Sequence, residues 1–170
     1  RIAQLLRAHG ANDTEPLVAI HPSASDGSKR WPAERFAQLA DRLIEGHRVQ
    51  VVLVAGPGHE PSAQTVERSM RQRPLSLAGK LSVGELAALL SRCRLLVSND
   101  SGPVHIAAAL GTPVVALFGR SQPGINATRW RPLGPGHIVL DKANDLEAAS
   151  LTALTVEEVY DAAQTLVHRR

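Results

Sequence analysis

The sequence has 170 residues, 44% of them hydrophobic, which suits one domain with a sizeable core and is too little for two full ones. Lys plus Arg exceed Asp plus Glu by only 19 to 16 and aromatics are 3%, so neither a basic tract nor a stacking platform for nucleic acid is present. The net charge of +3 leaves room for an anionic small molecule or an anionic membrane surface as partner.

In chain order, RIAQLLRAHGA is a short amphipathic segment ending in Gly, followed by a polar linker, NDTEP. Residues 1–16 are therefore expected to be a helix and linker from a preceding region, and the start at Arg1 suggests a piece of a longer protein. LVAIH (17–21) reads as a buried strand. From Ala33 to Gly46, Phe36, Leu39, Ala40, Leu43 and Ile44 fall on one face of a helix. VQVVLVAG (49–56) is continuously apolar, as a strand covered on both faces must be, and Gly-Pro-Gly stops it. Pro61 opens a helix to about Gln72, LSLAG is a short strand, and Ser82 with Glu85 forms a capping box for VGELAALLSR. RLLVSND is a strand ending in polar residues; Pro103 starts the helix VHIAAAL, Gly111 closes it, and PVVALFG is another strand. Residues 119–136, with four Gly and three Pro, read as a long loop of the kind that is usually functional or mobile. HIVL (137–140) is a last strand, and Thr155 caps a final helix, VEEVYDAAQTLV.

Cys93 is alone, within an apolar helical run, so no disulfide or Cys-based zinc site can form inside the chain, and a reducing cytoplasm is expected. No apolar stretch approaches the roughly 20 residues needed to cross a bilayer. The seven His show no metal-ligand spacing, and neither metal nor cofactor is expected.

Alternating strands and helices with continuously apolar strands predict an α/β fold, a parallel sheet covered by helices on both faces. Ligands of such sheets bind beyond the carboxyl ends of the strands, so loops 21–32, 56–60, 78–82 and 98–105 carry the functional reading. The first, HPSASDGSKRWP, offers hydroxyls from Ser23, Ser25 and Ser28 and charge from Lys29 and Arg30. It is either a phosphate cradle or a solvated loop with Trp31 and Pro32 packed on the core. In the last, Pro103 near the first helical position leaves the amides of Val104 and His105 free to face an anion, and Gly102 permits close approach. Asp100 and Ser101 either cap that helix or bond the hydroxyls of a polyol; His105 is either a surface residue or a neighbour of the same anion. GPGHE is not a dinucleotide fingerprint, and no P-loop or nucleophile elbow occurs.

HPSAS with KRWPAERFAQLADRL, VVLVAGPGHE, and LAGKLSVGELAALLSRCRLLVSNDSGPVHIAAALGTPVVALFG resemble, in order and spacing over residues 17–119, the C-terminal half of the lipopolysaccharide heptosyltransferases, glycosyltransferase family nine. The KRWP and NDSGPVH wording looks nearer to the second heptosyltransferase of the inner core. The resemblance implies a Rossmann-like half of a GT-B glycosyltransferase, with residues 17–170 as the nucleotide-sugar domain and an N-terminal acceptor domain outside this chain. It implies metal-independent, inverting transfer of heptose from ADP-heptose to the lipid A core oligosaccharide, in the cytoplasm at the inner membrane face, with the general base in the missing domain. By position it places Ser23 and Lys29 on the diphosphate, Glu60 on the ribose with His59 and Gly58 as alternative registers, and the backbone near Leu81 on adenine. Asp100, Ser101, Gly102 and His105 fall on the sugar and diphosphate, with Lys29 stabilising the leaving group. Ala24 and FGRSQP depart from the family pattern. The competing expectations are a non-catalytic α/β nucleotide-binding module and a GT-B enzyme using a UDP-sugar.

Overall fold

The computed structural model describes residues 1–119, 126–142 and 151–168. Six strands form one sheet in the order β3-β2-β1-β4-β5-β6: β1 (Leu17–His21), β2 (Gln50–Leu53), β3 (Leu75–Ser76), β4 (Cys93–Asn99), β5 (Val114–Phe118) and β6 (Ile138–Asp141). Every pairing is parallel. The order reverses between β1 and β4, which puts the topological switch point, where doubly wound sheets bind ligands, at the ends of those two strands.

Strand alternation sorts the apolar side chains into two cores. Val18, Ile20, Val51, Leu53, Leu95, Val97, Val115 and Leu117 face α2 (Ala33–His47), α3 (Glu60–Ser69) and α7 (Val156–Val167), against Phe36, Leu39, Leu43, Val66, Val159 and Leu166. Ala19, Val52, Leu96, Val114, Ala116 and Phe118 face the other way, toward α1 (Ile2–Ala8), α4 (Val83–Leu90) and α5 (Gly102–Ala109), meeting Leu6, Leu89, Leu90, Val104 and Ala107. Both faces are covered, which is why the strands are apolar without alternation. Leu6 is buried in the second core, so α1 packs on the same body as the rest. No described helix is long and apolar enough to cross a membrane.

The expected elements form, with four differences. Helix α3 stops at Ser69 rather than Gln72 because the Asp41 carboxylate, buried on α2, accepts the backbone N–H of Arg71 at 3.0 Å and of Gln72 at 2.9 Å, drawing both out of the helix. Strand β2 is confined to Gln50–Leu53, and the Gln50 side chain at its start bonds the backbone at Asn12 and Glu15. Cys93 opens β4 instead of lying in a helix: α4 ends at Leu90, and the buried thiol donates to Leu89 O at 3.3 Å. Burial pushes its pKa up to about 12. The described part of the expected loop 119–136 contains a one-turn helix, α6 (Ala127–Trp130), started by the Asn126 side chain; residues 120–125, with the FGRSQP turn, lie outside the described residues.

Candidate functional site

Each strand of the switch point is apolar until its last residues. β1 runs Leu-Val-Ala-Ile and then His21; β4 ends in Ser98 and Asn99, followed by Asp100. These polar groups are buried at the carboxyl edge, and each has a polar partner there. Asn99 spans the switch point, donating to Pro22 O at 2.8 Å and accepting from the Trp31 backbone N–H at 3.0 Å. The Trp31 indole N–H donates to Leu154 O at 2.8 Å, and its ring meets Phe36 edge-on with centroids 4.9 Å apart. The loop between β1 and α2 is thus fastened at its far end, while Asp26 accepts from the Ser28 N–H and starts a single 3₁₀ turn carrying Lys29.

Above this edge lies a cavity of about 660 Å³. Ser23, Ser25, Lys29, Leu81, Asp100, Ser101, Gly102 and His105 all line it, drawn from the loops after β1, β3 and β4, with Gly56 and His59 from the loop after β2. Lys29 Nζ stands 3.4 Å from Asp100 Oδ2, so the cationic and anionic groups of the site are paired with each other. Apolar walls come from Val54, Leu81, Val83, Leu86 and Ile106. Trp130 of α6 closes one side, its ring 6.0 Å from that of His105. The donor set is oxygen-, amide- and ammonium-rich, and no cluster of three metal-ligating side chains exists among the described residues.

Glu60 and the start of α5 stand apart from the other expected site residues. Glu60 does not line the cavity: it begins α3 with its carboxylate against Gly79, where a Cβ would collide with the Glu60 side chain, and His59 lines the cavity instead. Backbone N–H groups of Glu60 and Gly58 hold the Glu60 carboxyl below the usual range. The Val104 amide is not free, because it donates to Ser101 O at 3.1 Å in the tightened first turn of α5. Ser101 is the residue before that helix, yet its hydroxyl makes no capping bond. Of the two roles left open for Asp100 and Ser101, the first is not taken by Ser101, and Asp100 pairs with Lys29.

The sequence reading passed over His21. Its Nε2 is 2.9 Å from Ser23 Oγ, and its Nδ1 is 3.1 Å from Ser101 Oγ and 3.3 Å from Ser98 Oγ. Burial first, and then the charge of His59, pull its pKa down to about 4, so the ring is neutral at pH 7. The available signal was a polar residue closing an apolar strand at the sheet edge. Trp130 was missed because α6 is a single turn within a stretch rich in Gly and Pro.

Comparison with known proteins gives a consistent family. The model of glycosyltransferase family 9 (heptosyltransferase) matches residues 2–160. Lipooligosaccharide heptosyltransferase 2 of Haemophilus influenzae is 38% identical over 112 residues, which is 64% of this chain and 32% of that protein. A crystal structure of a family 9 glycosyltransferase from Veillonella parvula superposes with a TM-score of 0.86 at 33% identity, covering 98% of this chain and 50% of that one. The structure of Escherichia coli ADP-heptose LPS heptosyltransferase II superposes with a TM-score of 0.82 at 26% identity, again over 98% of this chain and 50% of that one. This chain therefore spans about a third of the curated relative and half of each solved one, and its sheet corresponds to one half of a GT-B architecture. The chain belongs to glycosyltransferase family 9, the heptosyltransferases.

Proposed function

We propose that residues 17–170 form the donor-binding domain of an inverting heptosyltransferase that moves heptose from ADP-heptose to the lipopolysaccharide inner core. The carrying observation is convergence: Lys29, Ser101, Gly102 and His105, suited to a diphosphate, share one cavity with Asp100, suited to sugar hydroxyls. The names of the relatives support heptose as the transferred sugar and ADP as its carrier. A second domain, of the size by which the solved relatives exceed this chain, would supply the acceptor site and the general base. Acceptor binding would bring the protein to the inner face of the cytoplasmic membrane.

In the transfer, the acceptor oxygen forms a bond to the anomeric carbon as the bond from that carbon to the phosphate oxygen breaks. ADP leaves with the electron pair, and the acceptor proton goes to the base of the second domain. Positive charge develops on the sugar and negative charge on the departing phosphate. Lys29 and the start of α5 face that phosphate, which is preorganised electrostatic stabilisation in a recessed site. Asp100, held 3.4 Å from the Lys29 ammonium, exchanges that partner for sugar hydroxyls when the donor enters.

Titration calorimetry on this chain with ADP, UDP and ADP-heptose tests the reading. Binding of ADP and ADP-heptose in preference to UDP is expected. A folded chain that binds none of them at millimolar concentration overturns the donor-site assignment, and preference for UDP replaces the carrier.

A further inference from the structure

We infer that His21 is a positioning residue of the cavity, a neutral imidazole carrying its proton on Nδ1 that turns the Ser101 hydroxyl, rather than that of Ser23, toward a bound nucleoside diphosphate. The inference rests on the donor-site reading for its ligand, and on proton counting for the rest. Ser98 has one hydroxyl proton, and its shortest contact, 2.7 Å, is to Asn99 O, which can only accept. Ser98 Oγ therefore faces Nδ1, 3.3 Å away, as an acceptor. An unprotonated Nδ1 could accept from Ser101 but would set its lone pair against that of Ser98; a protonated one donates to Ser101 Oγ at 3.1 Å with Ser98 Oγ as second acceptor, so both contacts together favour the proton on Nδ1. Nε2 must then accept, and Ser23, at 2.9 Å, is its hydrogen-bond partner among the described residues. The Ser23 proton is consumed inside the network, and the residue is almost wholly buried.

Ser101 is left with a proton to give. Ser98 Oγ, at 3.2 Å, can take it. A phosphate or sugar oxygen in the cavity competes for it, and the bond from Nδ1–H polarises the hydroxyl as a donor. The backbone agrees: Ser101 precedes α5 but does not cap it, whereas Ser82, Asn126 and Thr155 each cap their helices. Its side chain is diverted to His21, whose own position is fixed by pairing with Ser98 across the switch point.

Two measurements on this chain test the assignment. Long-range ¹⁵N–¹H NMR of the imidazole is expected to report the Nδ1–H tautomer; the Nε2–H tautomer overturns the inference, whatever the ligand. In calorimetry with ADP, Ser101→Ala and His21→Leu are each expected to weaken binding about tenfold. The double variant should lose no more than either single one, and His21→Asn, which keeps a donor near Nδ1, should stay within about threefold of wild type. Multiplying losses, full affinity in a folded His21→Leu chain, or a His21→Asn chain as weak as Ser101→Ala overturns it. Should His21→Leu fail to fold, the tautomer and the His21→Asn comparison still decide. A wild-type chain that binds no ADP overturns the donor-site reading, and the tautomer then decides on the network alone.

Discussion

Helices α5 and α7 both begin at a hydroxyl residue, and they use it in opposite ways. At α7, Thr155 accepts from the Glu158 N–H at 3.2 Å, and Glu158 accepts from the Thr155 N–H at 2.9 Å. That reciprocal box closes the first turn with the helix's own side chains, and Ser82 with Glu85 does the same for α4. At α5, Ser101 leaves the turn uncapped and its hydroxyl oxygen turns to His21 Nδ1, 3.1 Å away. A capped end is finished within the chain; α5 forgoes a contribution of about 1 kcal/mol and keeps its positive end toward a cavity. The contrast separates a helix start closed by its own side chains from one left open at a cavity.

The largest effect that tests this contrast is catalytic. In a two-domain transferase containing this domain, Lys29→Ala is expected to slow heptose transfer about 10²–10³-fold, followed as ADP release, because the charge gathered at α5 loses its cation. An unchanged rate removes Lys29 from the leaving-group role. Acid comes next. His21 takes up a proton at pH 6.5 when unfolded and at about 4 when folded, so between those values the unfolded chain binds more protons. The stabilisation is complete above pH 6.5 and falls by roughly 3 kcal/mol as pH drops to 4, read as the difference in urea stability between wild type and His21→Asn. Glu158 at α7, whose carboxyl Lys142 holds low, loses its contribution only as pH falls below its ordinary value of 4.5. The open end is thus expected to fail on acidification before the closed one, and the reverse order would erase the distinction.

A smaller effect concerns the start of α3. Gly79→Ala places a side chain at φ +72° and drives it into Glu60, costing about 1–2 kcal/mol in thermal denaturation. Stability unchanged by that substitution would show that the Glu60 contact is loose. The smallest is Thr155→Ala, expected to cost about 1 kcal/mol of stability and to leave ADP affinity unchanged. An altered affinity would mean that α7 communicates with the cavity.

The order of strands and helices was legible because it depends on local pattern: the helical period of Ala33–Gly46, the Ser82 and Thr155 caps, and Pro103 at a helix start. Eight of the nine residues assigned to the site from sequence reach one cavity because a parallel sheet brings all its carboxyl-end loops to one edge. What stayed hidden depends on residues far apart in sequence. Asp41 ends a helix 30 residues away through its carboxylate, and His21 acts through Ser98 and Ser101, from the other side of the switch point. The place of the Glu60 side chain was hidden for a similar reason, since Gly79, beyond β3, leaves the space it fills.

Trp31 sets a schedule. Its indole holds a carbonyl 123 residues further on, and its backbone N–H is held by Asn99, 68 residues further on. During synthesis the loop bearing Ser23 and Lys29 leaves the ribosome long before either anchor exists. The nascent chain can form β1 and α2 early, but the far end of that loop gains its last fastening only when Leu154 arrives. A chain stalled before residue 154 therefore lacks the bond from the Trp31 indole to Leu154 O, and the anchoring of the loop that bears Ser23 and Lys29 is completed last.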